Sequence, residues 1–168
     1  MQGNRQQETK VGFGFDIHRM TEGRKLILGG TEIPHSKGLL GHSDGDVVLH
    51  AACDAVLGAL SAGEIGVFFP PTDVSIAGIS SKIITQKVLE IVKQKKAQIT
   101  HLDITVVAEE PKMLPHYEKI RKSLKDIFAL SPQDISFKAK SNEGLGDIGA
   151  GRAMACYAAA TLKVRRGK

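Results

Sequence analysis

The sequence predicts an α+β fold in which one mixed β-sheet carries helices on one of its faces. Two observations predict this class. Segments rich in β-branched residues, such as residues 99–110, alternate along the chain with segments whose apolar residues recur at helical spacing, such as residues 80–96. The chain also has 168 residues without an internal repeat or a low-complexity linker, which is the size of one compact domain.

The first half of the chain contains two predicted strands and one long predicted helix. Residues 10–17 and 25–28 have the composition of strands, and the glycine pair at 29–30 marks a turn. The helix is predicted over residues 43–63, because a serine and an aspartate that can cap a helix precede an apolar run that ends in glycine. A loop rich in proline, threonine and aspartate follows at residues 70–73.

The second half alternates helices and strands. Residues 80–96 have the spacing of an amphipathic helix, and residues 99–110 predict a strand near the centre of the sheet. Residues 114–129 predict another amphipathic helix, and residues 134–141 another strand. The last segment, residues 152–164, is ambiguous, because its alanines favour a helix whereas its alternate apolar residues would form one face of a strand.

The positive charge of the chain does not by itself indicate a nucleic-acid partner. The formal net charge is +5, and much of the excess lies in basic residues at 93–96 and 163–168. Such runs are usually solvated, and two tyrosines without a tryptophan offer little surface for base stacking. We therefore predict no nucleic-acid partner, and a small polyanionic substrate suits the charge equally well.

Cysteine usage and hydropathy predict a cytoplasmic protein with no membrane partner. Cys53 and Cys156 match neither a zinc-knuckle nor a redox spacing, and two cysteines do not make a disulfide framework. No uninterrupted apolar run reaches the roughly 18 residues of a transmembrane helix. The stretch MQGNRQQET lacks the apolar core of a signal peptide, so we predict a disordered extension at 1–9 and a single domain at 10–165.

An aspartate and a histidine stand two residues apart in the apolar, glycine-rich stretch VGFGFDIHRM, residues 11–20. In a strand, Asp16 and His18 project from the same face. A buried carboxylate and a buried imidazole both need a partner, and one metal ion satisfies both. The alternative is a hydrogen-bonded Asp–His pair at the end of a strand.

A second polar cluster opens the predicted helix in the stretch GLLGHSDGDVVLH, residues 38–50. It contains His42, Ser43, Asp44, Asp46 and His50. Asp46 and His50 are four residues apart and therefore neighbours on one helix face. His50 joined to Asp16 and His18 would complete a His-His-Asp set with an open fourth position, which is the form of a catalytic zinc site. The alternative is that His50 merely pairs with Asp46.

Two further stretches carry candidate phosphate contacts. KAKSNEGLGDIGAG, residues 138–151, places Ser141, Asn142 and Glu143 directly before a glycine-rich loop. Backbone amides in such a loop can bind phosphate, and a carboxylate beside them can hold magnesium. No helix pattern follows, so a plain flexible turn is the alternative. In AEEPKMLPH, Lys112 either contacts a phosphate or is simply exposed.

Five stretches together resemble one enzyme family: GFGFDIH, IPHSKGLLGHSDGDVVLHAACDAVLGA, EIGVFFPPTD, DITVVAEEPKML and KAKSNEGLG. The family is that of the 2-C-methyl-D-erythritol 2,4-cyclodiphosphate synthases, enzymes of the non-mevalonate route to isoprenoid precursors. The stretches keep the family's order and approximate spacing and cover most of residues 11–160. The combination of D-x-H, H-S-D-G-D-x-x-x-H and P-K-M-L is highly specific for this family.

The resemblance implies an assembly and a set of metal ligands. Each subunit would have a four-stranded sheet with helices, whose last strand is the segment 152–164, and the enzyme would be a homotrimer with active sites at subunit interfaces. Asp16, His18 and His50 would be zinc ligands. Glu143 would bind a second divalent cation, magnesium or manganese, between the α and β phosphates of the substrate.

The remaining site residues follow from the resemblance in the same way. The implied catalytic residues are His42, which with Ser43 contacts the diphosphate, and Ser141, which holds a phosphate near the transition state. The implied substrate-binding residues are Asp16, His18, His42, Ser43, Glu64, Ile65, Gly66, Phe69, Thr72, Asp73, Lys140, Ser141, Asn142 and Glu143. The implied nucleotide-binding residues, contributed by a neighbouring subunit, are Ala108, Pro111, Lys112, Met113 and Leu114.

The implied reaction is intramolecular. The 2-phosphate of 4-diphosphocytidyl-2-C-methyl-D-erythritol 2-phosphate attacks the β-phosphorus, CMP leaves and the cyclic diphosphate forms, which makes the enzyme a phosphorus–oxygen lyase. Such chemistry needs positioning and charge neutralisation but no protein nucleophile, and the sequence has no Ser-His-Asp motif. Two rival functions are a non-catalytic nucleotide-binding or scaffold protein, which loss of metal ligands would favour, and a zinc phosphohydrolase, which would release inorganic phosphate.

The sequence departs from the family pattern at several positions. Glu64 and Ser141 stand where the family has aspartate and threonine, and Pro71 replaces an acidic residue. In the stretch DIGAGRA, Asp147 and Arg152 replace an aromatic residue and a glutamate beside the central cavity of the trimer, where some members hold an isoprenoid diphosphate. In one interpretation these two charges pair across subunits; in the other, the arginine faces solvent and the aspartate caps the loop.

Overall fold

The computed structural model describes residues 7–70 and 72–165. The strands are Gln7–Glu22 (β1), Leu26–Leu28 (β2), Thr31–Ile33 (β3), Lys37–Leu39 (β4), Ala97–Val107 (β5), Ile135–Lys140 (β6) and Ala153–Arg165 (β7). The helices are Val47–Ala59 (α1), Ile65–Phe68 (α2), Ser81–Gln94 (α3), Tyr117–Phe128 (α4) and Gly146–Gly149 (α5). Short 3₁₀ turns lie at Val74–Ile76, Leu114–His116 and Pro132–Asp134. Among the described residues, no helix has the length and apolar character of a membrane span.

The main sheet has five strands in the order β4-β1-β7-β5-β6, and the predicted α+β class is confirmed. The sheet is mixed, because β5 and β6 are parallel and the other neighbouring pairs are antiparallel. The four-stranded sheet that the resemblance implies is wrong by one strand, since β4 pairs with Met20–Glu22 at the end of β1. A three-residue edge strand leaves no periodic signal in a sequence. The predicted strand at 25–28 lies outside this sheet, because β2 pairs with β3 in a separate hairpin.

The ambiguous segment at 152–164 is a strand at the centre of the sheet. β7 pairs with β1 along one edge and with β5 along the other. Its helix-facing residues, Met154, Cys156 and Ala158, are buried. The alanines that favour a helix are instead small enough to let α1 pack directly on this strand. Tertiary packing therefore overrides the intrinsic helix propensity of this segment.

Helix α1 lies close to β1 because of two glycines. A Cβ atom at Gly12 would lie 1.9 Å from the backbone oxygen of Ala55, and one at Gly14 would lie 2.0 Å from that of Ala51. Any larger residue would force the helix away from the strand. This close approach sets the start of α1 beside the residues that follow Gly14 on the same face of β1.

Strand β1 is longer than the strand predicted at 10–17. It begins at Gln7, so residues 7–9 of the segment predicted to be disordered belong to the strand. Residues 1–6 of that segment lie outside the described residues. The added length comes from residue-by-residue pairing with β7, a partner that the local sequence pattern does not reveal.

Helix α1 begins later than predicted, at Val47 rather than at Ser43. Asp46 is its N-cap, because the carboxylate accepts hydrogen bonds from the second and third backbone N–H groups of the helix. Ser43 belongs to the preceding turn. This start places His50 in the first turn of α1, next to β1.

The face of the sheet turned away from the helices is apolar. Val11, Phe13, Phe15 and Ile17 alternate outward along β1 and are between 43% and 70% exposed. Tyr157 of β7 lies beside them, with its ring centroid 5.0 Å from that of Phe15. A contiguous apolar area of this kind is typical of an interaction surface or a ligand-binding groove.

Candidate active site

Three side chains that can bind a metal meet between β1 and α1. Asp16 and His18 project from the helix-facing side of β1, and His50 comes from α1. Asp16 Oδ2 lies 3.0 Å from His18 Nε2 and 2.8 Å from His50 Nδ1, and the two histidine nitrogens are 3.4 Å apart. Ligand atoms on one tetrahedral zinc ion lie about 3.3 Å apart, so these atoms fit such an ion. The three residues can therefore hold a metal, and the hydrogen-bonded Asp16–His18 pair of the alternative is extended by His50.

The other nitrogen of the His50 ring is held by two serines. His50 Nε2 lies 2.9 Å from Ser81 Oγ and 3.1 Å from Ser43 Oγ. Both hydroxyls lie in the interior, because Ser81 and Ser43 are buried. Hydrogen bonds to the outer nitrogen of a ligating histidine fix the orientation of its ring. Nδ1 is therefore directed toward the other two ligands.

The Asp46 carboxylate is bonded to the backbone. It is fully buried and accepts hydrogen bonds from the N–H groups of Gly29 and Gly30, at 2.9 Å and 2.6 Å, besides those at the start of α1. Burial raises the pKa of Asp46 to about 6, because the loss of solvation outweighs these hydrogen bonds. The alternative in which His50 merely pairs with Asp46 is wrong, since the bonds of this carboxylate go to N–H groups.

The charges of the ligand group stabilise the ionised form of Asp16 and the protonated form of His18. Burial raises the pKa of Asp16, but the hydrogen bonds and charges of His18 and His50 outweigh burial and hold this pKa well below its usual range. Burial lowers the pKa of His18, but its hydrogen bond to Asp16 and the carboxylate charge raise it overall. Asp16 is therefore ionised at neutral pH, which is the form that binds a metal.

A cavity of about 210 Å³ opens beside the three ligands. Its lining residues are Asp16, His18, His42, Ser43, His50, Ile65, Gly66, Phe69, Ile76, Ile79 and Ile84. The structure thus brings predicted substrate residues from the segments 42–43 and 65–69 together with the ligands. Three of its four isoleucines, Ile76, Ile79 and Ile84, were not predicted, because they come from an irregular loop and from α3.

Three other predicted substrate residues do not line this cavity. Glu64, Thr72 and Asp73 are exposed. Asp73 Oδ1 accepts a hydrogen bond of 2.9 Å from the backbone N–H of Ser75 and caps the 3₁₀ turn that follows. Pro71, the departure from the family pattern in this loop, lies outside the described residues.

The predicted phosphate loop and the predicted nucleotide segment form a second cluster at the ends of β5 and β6. Glu109 joins them, because its Oε1 accepts hydrogen bonds from the backbone N–H groups of Asn142 at 2.7 Å and Gly144 at 3.2 Å. In the same loop, Ser141 Oγ donates to Glu143 Oε1 at 2.5 Å. In the part of the chain that the structure describes, the cavity beside the metal ligands includes none of these residues.

The predicted nucleotide residues, Ala108, Pro111, Lys112, Met113 and Leu114, follow the end of β5. Ala108 and Met113 are buried, and the backbone N–H of Ala108 donates to the backbone oxygen of Lys140 at 2.9 Å. Lys112 is exposed and Leu114 is 76% exposed. The segment is therefore anchored by Ala108 and Met113 and presents Lys112 and Leu114 outward.

Arg152 pairs with Asp147 of the same chain. Its Nε and Nη2 atoms lie 2.8 Å and 2.5 Å from Asp147 Oδ1. The two side chains are 65% and 72% exposed. Both charges are thus paired within one chain: the arginine faces solvent, as in the second interpretation, but the Asp147 carboxylate is bonded to Arg152 instead of capping the loop.

Arg24 supports the site from outside the predicted set. Its Nη2 donates to the backbone oxygen of Ser43 at 2.7 Å, and its Nη1 to that of Gly41 at 3.4 Å. These two bonds fix the backbone on either side of His42. No motif marks Arg24 in the sequence, because its partners are carbonyl groups of a loop that is distant along the chain.

Comparison with known proteins shows the family to which this chain belongs. The YgbB family model matches residues 9–163. The chain belongs to the YgbB family. It is 49% identical over 156 residues to the 2-C-methyl-D-erythritol 2,4-cyclodiphosphate synthase of Gloeobacter violaceus, a match that covers 93% of this chain and 96% of that protein. The resemblance carried by the five sequence stretches is confirmed.

Solved structures share the fold of this YgbB family member. The bifunctional IspDF of Campylobacter jejuni superposes with a TM-score of 0.89 at 34% identity, covering 95% of this chain and 43% of that chain. A 2C-methyl-D-erythritol-2,4-cyclodiphosphate synthase in its CDP-bound form superposes with a TM-score of 0.84 at 34% identity, covering 91% of this chain and 99% of that chain.

Proposed function

We propose that this protein converts 4-diphosphocytidyl-2-C-methyl-D-erythritol 2-phosphate to 2-C-methyl-D-erythritol 2,4-cyclodiphosphate with release of CMP. An oxygen of the 2-phosphate attacks the β-phosphorus, the bond from that phosphorus to the oxygen bridging the α-phosphate breaks, and CMP leaves with that oxygen. The enzyme is then a phosphorus–oxygen lyase in the non-mevalonate formation of isoprenoid precursors. Its residues act by positioning the substrate and offsetting its charge.

The observation that carries this proposal is the convergence of Asp16, His18 and His50 at the edge of a cavity, in a chain 49% identical to a named synthase. A carboxylate oxygen and two imidazole nitrogens with an open fourth position are ligands of the catalytic zinc type, and we propose zinc. Zinc bound there would polarise a phosphate oxygen of the substrate. All three ligands are in place, which disfavours a non-catalytic protein.

The cavity beside the ligands is the proposed place of the diphosphate and of the erythritol. His42 and Ser43 line it and are the proposed diphosphate contacts, with His42 in a catalytic role. Within the segment 64–73, the residues of the cavity wall are Ile65, Gly66 and Phe69, and the exposed residues proposed for the erythritol hydroxyls are Glu64, Thr72 and Asp73. The longer side chain of Glu64 extends the reach of that carboxylate by one methylene.

The second cluster is the proposed place of the nucleotide and of a second cation. Glu143 would bind magnesium or manganese, and Ser141 would hold a phosphate near the transition state, with Lys140 and Asn142 beside them. A carboxylate next to backbone amides suits a cation bound to phosphate. The segment 108–114 would hold the cytidine, through Ala108, Pro111, Lys112, Met113 and Leu114.

We propose a homotrimer in which the two clusters of neighbouring subunits meet. Two features of the single chain support this assembly. The metal ligands and the second cluster do not share a cavity within the described part of the chain. The outward face of β1 also presents Phe13 and Phe15 to solvent, which a neighbouring subunit would cover.

We further propose that the protein is one domain in the cytoplasm, which begins with β1 at Gln7 rather than at the predicted residue 10. The buried residues from β1 to β7 belong to one core. Cys53 and Cys156 are both free and buried, which suits a reducing compartment. No nucleic-acid or membrane partner is required by this reaction.

Phosphorus NMR of the purified protein with the cytidyl substrate, zinc and magnesium tests the proposed reaction. We expect the signals of CMP and of the cyclic diphosphate to appear together, without inorganic phosphate. Release of inorganic phosphate would identify a zinc phosphohydrolase instead. Binding of the substrate without any turnover would identify a nucleotide-binding protein and overturn the proposal.

A further inference from the structure

Behind the proposed metal site, Asp44, Ser81 and His50 form a hydrogen-bonded chain. Ser81 Oγ is bonded to His50 Nε2 at 2.9 Å and to Oδ1 of Asp44. The backbone N–H of Ser81 donates to the other carboxylate oxygen of Asp44, Oδ2, at 2.9 Å. Ser81 is fully buried, so solvent does not compete for these bonds. These hydrogen bonds therefore link the Asp44 carboxylate to the Ser81 hydroxyl and the Ser81 hydroxyl to the His50 imidazole.

The proton positions in this chain follow from the chemistry of its members. An ionised carboxylate only accepts hydrogen bonds, so the Ser81 hydroxyl donates its single proton to Asp44. The Ser81 oxygen then turns a lone pair toward His50 Nε2, and a bond forms there only if Nε2 carries the proton. In a neutral imidazole, Nδ1 then has the lone pair. Nδ1 is the atom that faces Asp16 and His18, so a metal ion held by those two residues would meet this lone pair.

We propose that Asp44 is a positioning residue that fixes the tautomer of His50 through Ser81. The inference rests on the proposed metal site, because a ligating Nδ1 must present its lone pair to the ion. Ser43 Oγ, at 3.1 Å from Nε2, supplies a second acceptor for the same proton. Asp44 itself contacts neither the cavity nor the ligand atoms; it acts by determining the direction in which the Ser81 hydroxyl points.

An asparagine in place of Asp44 would reverse the direction of the hydrogen bonds that link residue 44, Ser81 and His50. Its oxygen should take the place of Oδ2, because an NH₂ group there would face the Ser81 N–H at 2.9 Å, whereas an NH₂ group in place of Oδ1 would face the Asp46 N–H only at 3.3 Å. The NH₂ group is then directed at Ser81 Oγ and donates to it. The Ser81 hydroxyl turns to His50 Nε2, and the imidazole proton moves to Nδ1, where the metal should bind.

Zinc affinity, measured by competition with a chromophoric chelator, tests this proposal. Asp44→Asn should weaken zinc binding by about 10- to 100-fold, the usual effect of losing an outer partner of a ligating histidine. Ser81→Ala should weaken it less, because Ser43 still accepts the proton. The double variant should match Ser81→Ala alone, since no hydroxyl remains to be reversed. Asp126→Asn, at an exposed aspartate of α4, is the matched control and should bind zinc as the wild type does.

Two results would overturn the positioning role. One is wild-type zinc affinity in Asp44→Asn, and the other is a double variant weakened by the product of both single effects. If circular dichroism shows that Asp44→Asn does not fold, Asp44→Ala replaces it. Asp44→Ala also frees the Ser81 hydroxyl to donate to His50 Nε2. Wild-type zinc affinity in Asp44→Ala would therefore also overturn the positioning role. His50→Ala distinguishes failure of the metal site from failure of the positioning role. Full zinc content in His50→Ala refutes the metal site itself. Loss of zinc in His50→Ala, with wild-type zinc affinity in Asp44→Asn, refutes only the positioning role.

Discussion

At the scale of single residues, the protein itself holds the proposed metal ligands in place. Asp16 and His18 belong to a strand that pairs with β7 at both positions, so their backbone has little freedom. The His50 ring is bonded at its far nitrogen to Ser81 and Ser43. A ligand set that is already oriented loses little conformational entropy when a metal binds. Zinc affinity at such a site should therefore fall when any one of the three ligands is removed.

Removal of one ligand should remove the zinc. His18→Ala and His50→Ala each leave two protein ligands, and we expect these variants to retain far less than the wild-type content of about one zinc per chain. Elemental analysis of the purified proteins gives the zinc content, and circular dichroism checks that they fold. His116→Ala, at the 3₁₀ turn before α4, is the control. Unchanged zinc in both ligand variants would contradict the assignment.

Glu143 should matter for turnover rather than for folding. Its carboxylate is exposed. The one hydrogen bond described for this side chain comes from the hydroxyl of the neighbouring Ser141. Glu143→Gln should therefore keep the wild-type unfolding midpoint and zinc content but lose most of its magnesium-dependent turnover. The rate of CMP release at limiting magnesium measures the effect, with Glu118→Gln on the exposed side of α4 as the control. A wild-type rate in Glu143→Gln would refute the second cation site.

At the scale of secondary-structure elements, the contact of α1 with β1 determines whether the site forms. Gly14→Ala would place a Cβ atom 2.0 Å from a backbone oxygen of α1, so the helix must move away and take His50 with it. We expect a loss of about 1–3 kcal/mol in the free energy of unfolding, together with weaker zinc binding. Urea denaturation and chelator competition measure the two effects.

Gly58→Ala is the matched control for Gly14→Ala. Gly58 lies within α1, and a Cβ atom there would be 3.7 Å from its nearest neighbour, an ordinary contact. Alanine in a helix is more stable than glycine by about 0.5–1 kcal/mol, so Gly58→Ala should be neutral or stabilising. Equal destabilisation by both substitutions would show that close packing on β1 is not the cause.

The loop after β6 should depend on Glu109. Glu109→Ala removes the acceptor of the Asn142 and Gly144 N–H groups, so those two amides should exchange with solvent faster and affinity for CDP should fall. Glu109→Gln keeps the acceptor oxygen and should keep most of the protection. Hydrogen exchange followed by NMR measures the amides. If the alanine variant keeps slow exchange, the glutamate does not hold this loop.

Sequence patterns reveal those parts of the site whose geometry is local. The two-residue spacing of Asp16 and His18 predicted one face of a strand, because side chains alternate strictly along β1. Ser81 and Asp44 carry no such signal: Ser81 follows an ordinary helix cap, and its partner lies 37 residues away. Glu109 was missed for the same reason, since its partners are backbone groups of a distant loop. The extra edge strand β4 is too short to have a period.

At the scale of the whole molecule, the separation of the two clusters and the apolar sheet face point to the same assembly. The metal ligands lie between β1 and α1, whereas Glu109 and the segment 141–144 lie at the ends of β5 and β6. Phe13 and Phe15 are exposed on the opposite side of β1. A closed trimer brings unlike parts of neighbouring subunits together, which is the arrangement that a divided site requires.

A charge on the apolar sheet face should dissociate the proposed trimer. Phe13 is 66% exposed in the single chain and would be buried by a neighbour, so Phe13→Lys would place an unpaired charge in the interface. We expect a monomer in analytical ultracentrifugation, with little turnover but with native secondary structure. Ile83→Lys, at an exposed apolar residue of α3, should leave the trimer intact. A trimeric Phe13→Lys protein would show that this face is not the interface.

The alternation along β1 also restricts how this chain can change in length. Gly14 and Asp16 face α1, and Phe13 and Phe15 face outward. The same alternation of side chains therefore determines both the helix-facing and the outward face of β1. Deleting one residue ahead of Asp16 would turn every side chain beyond the deletion to the opposite face. The metal ligands would then point away from the helices, and an aromatic ring would point into α1. Residues of β1 can therefore be exchanged one at a time, whereas the gain or loss of a single residue requires a bulge such as the register shift of β5 between Ile99 and His101.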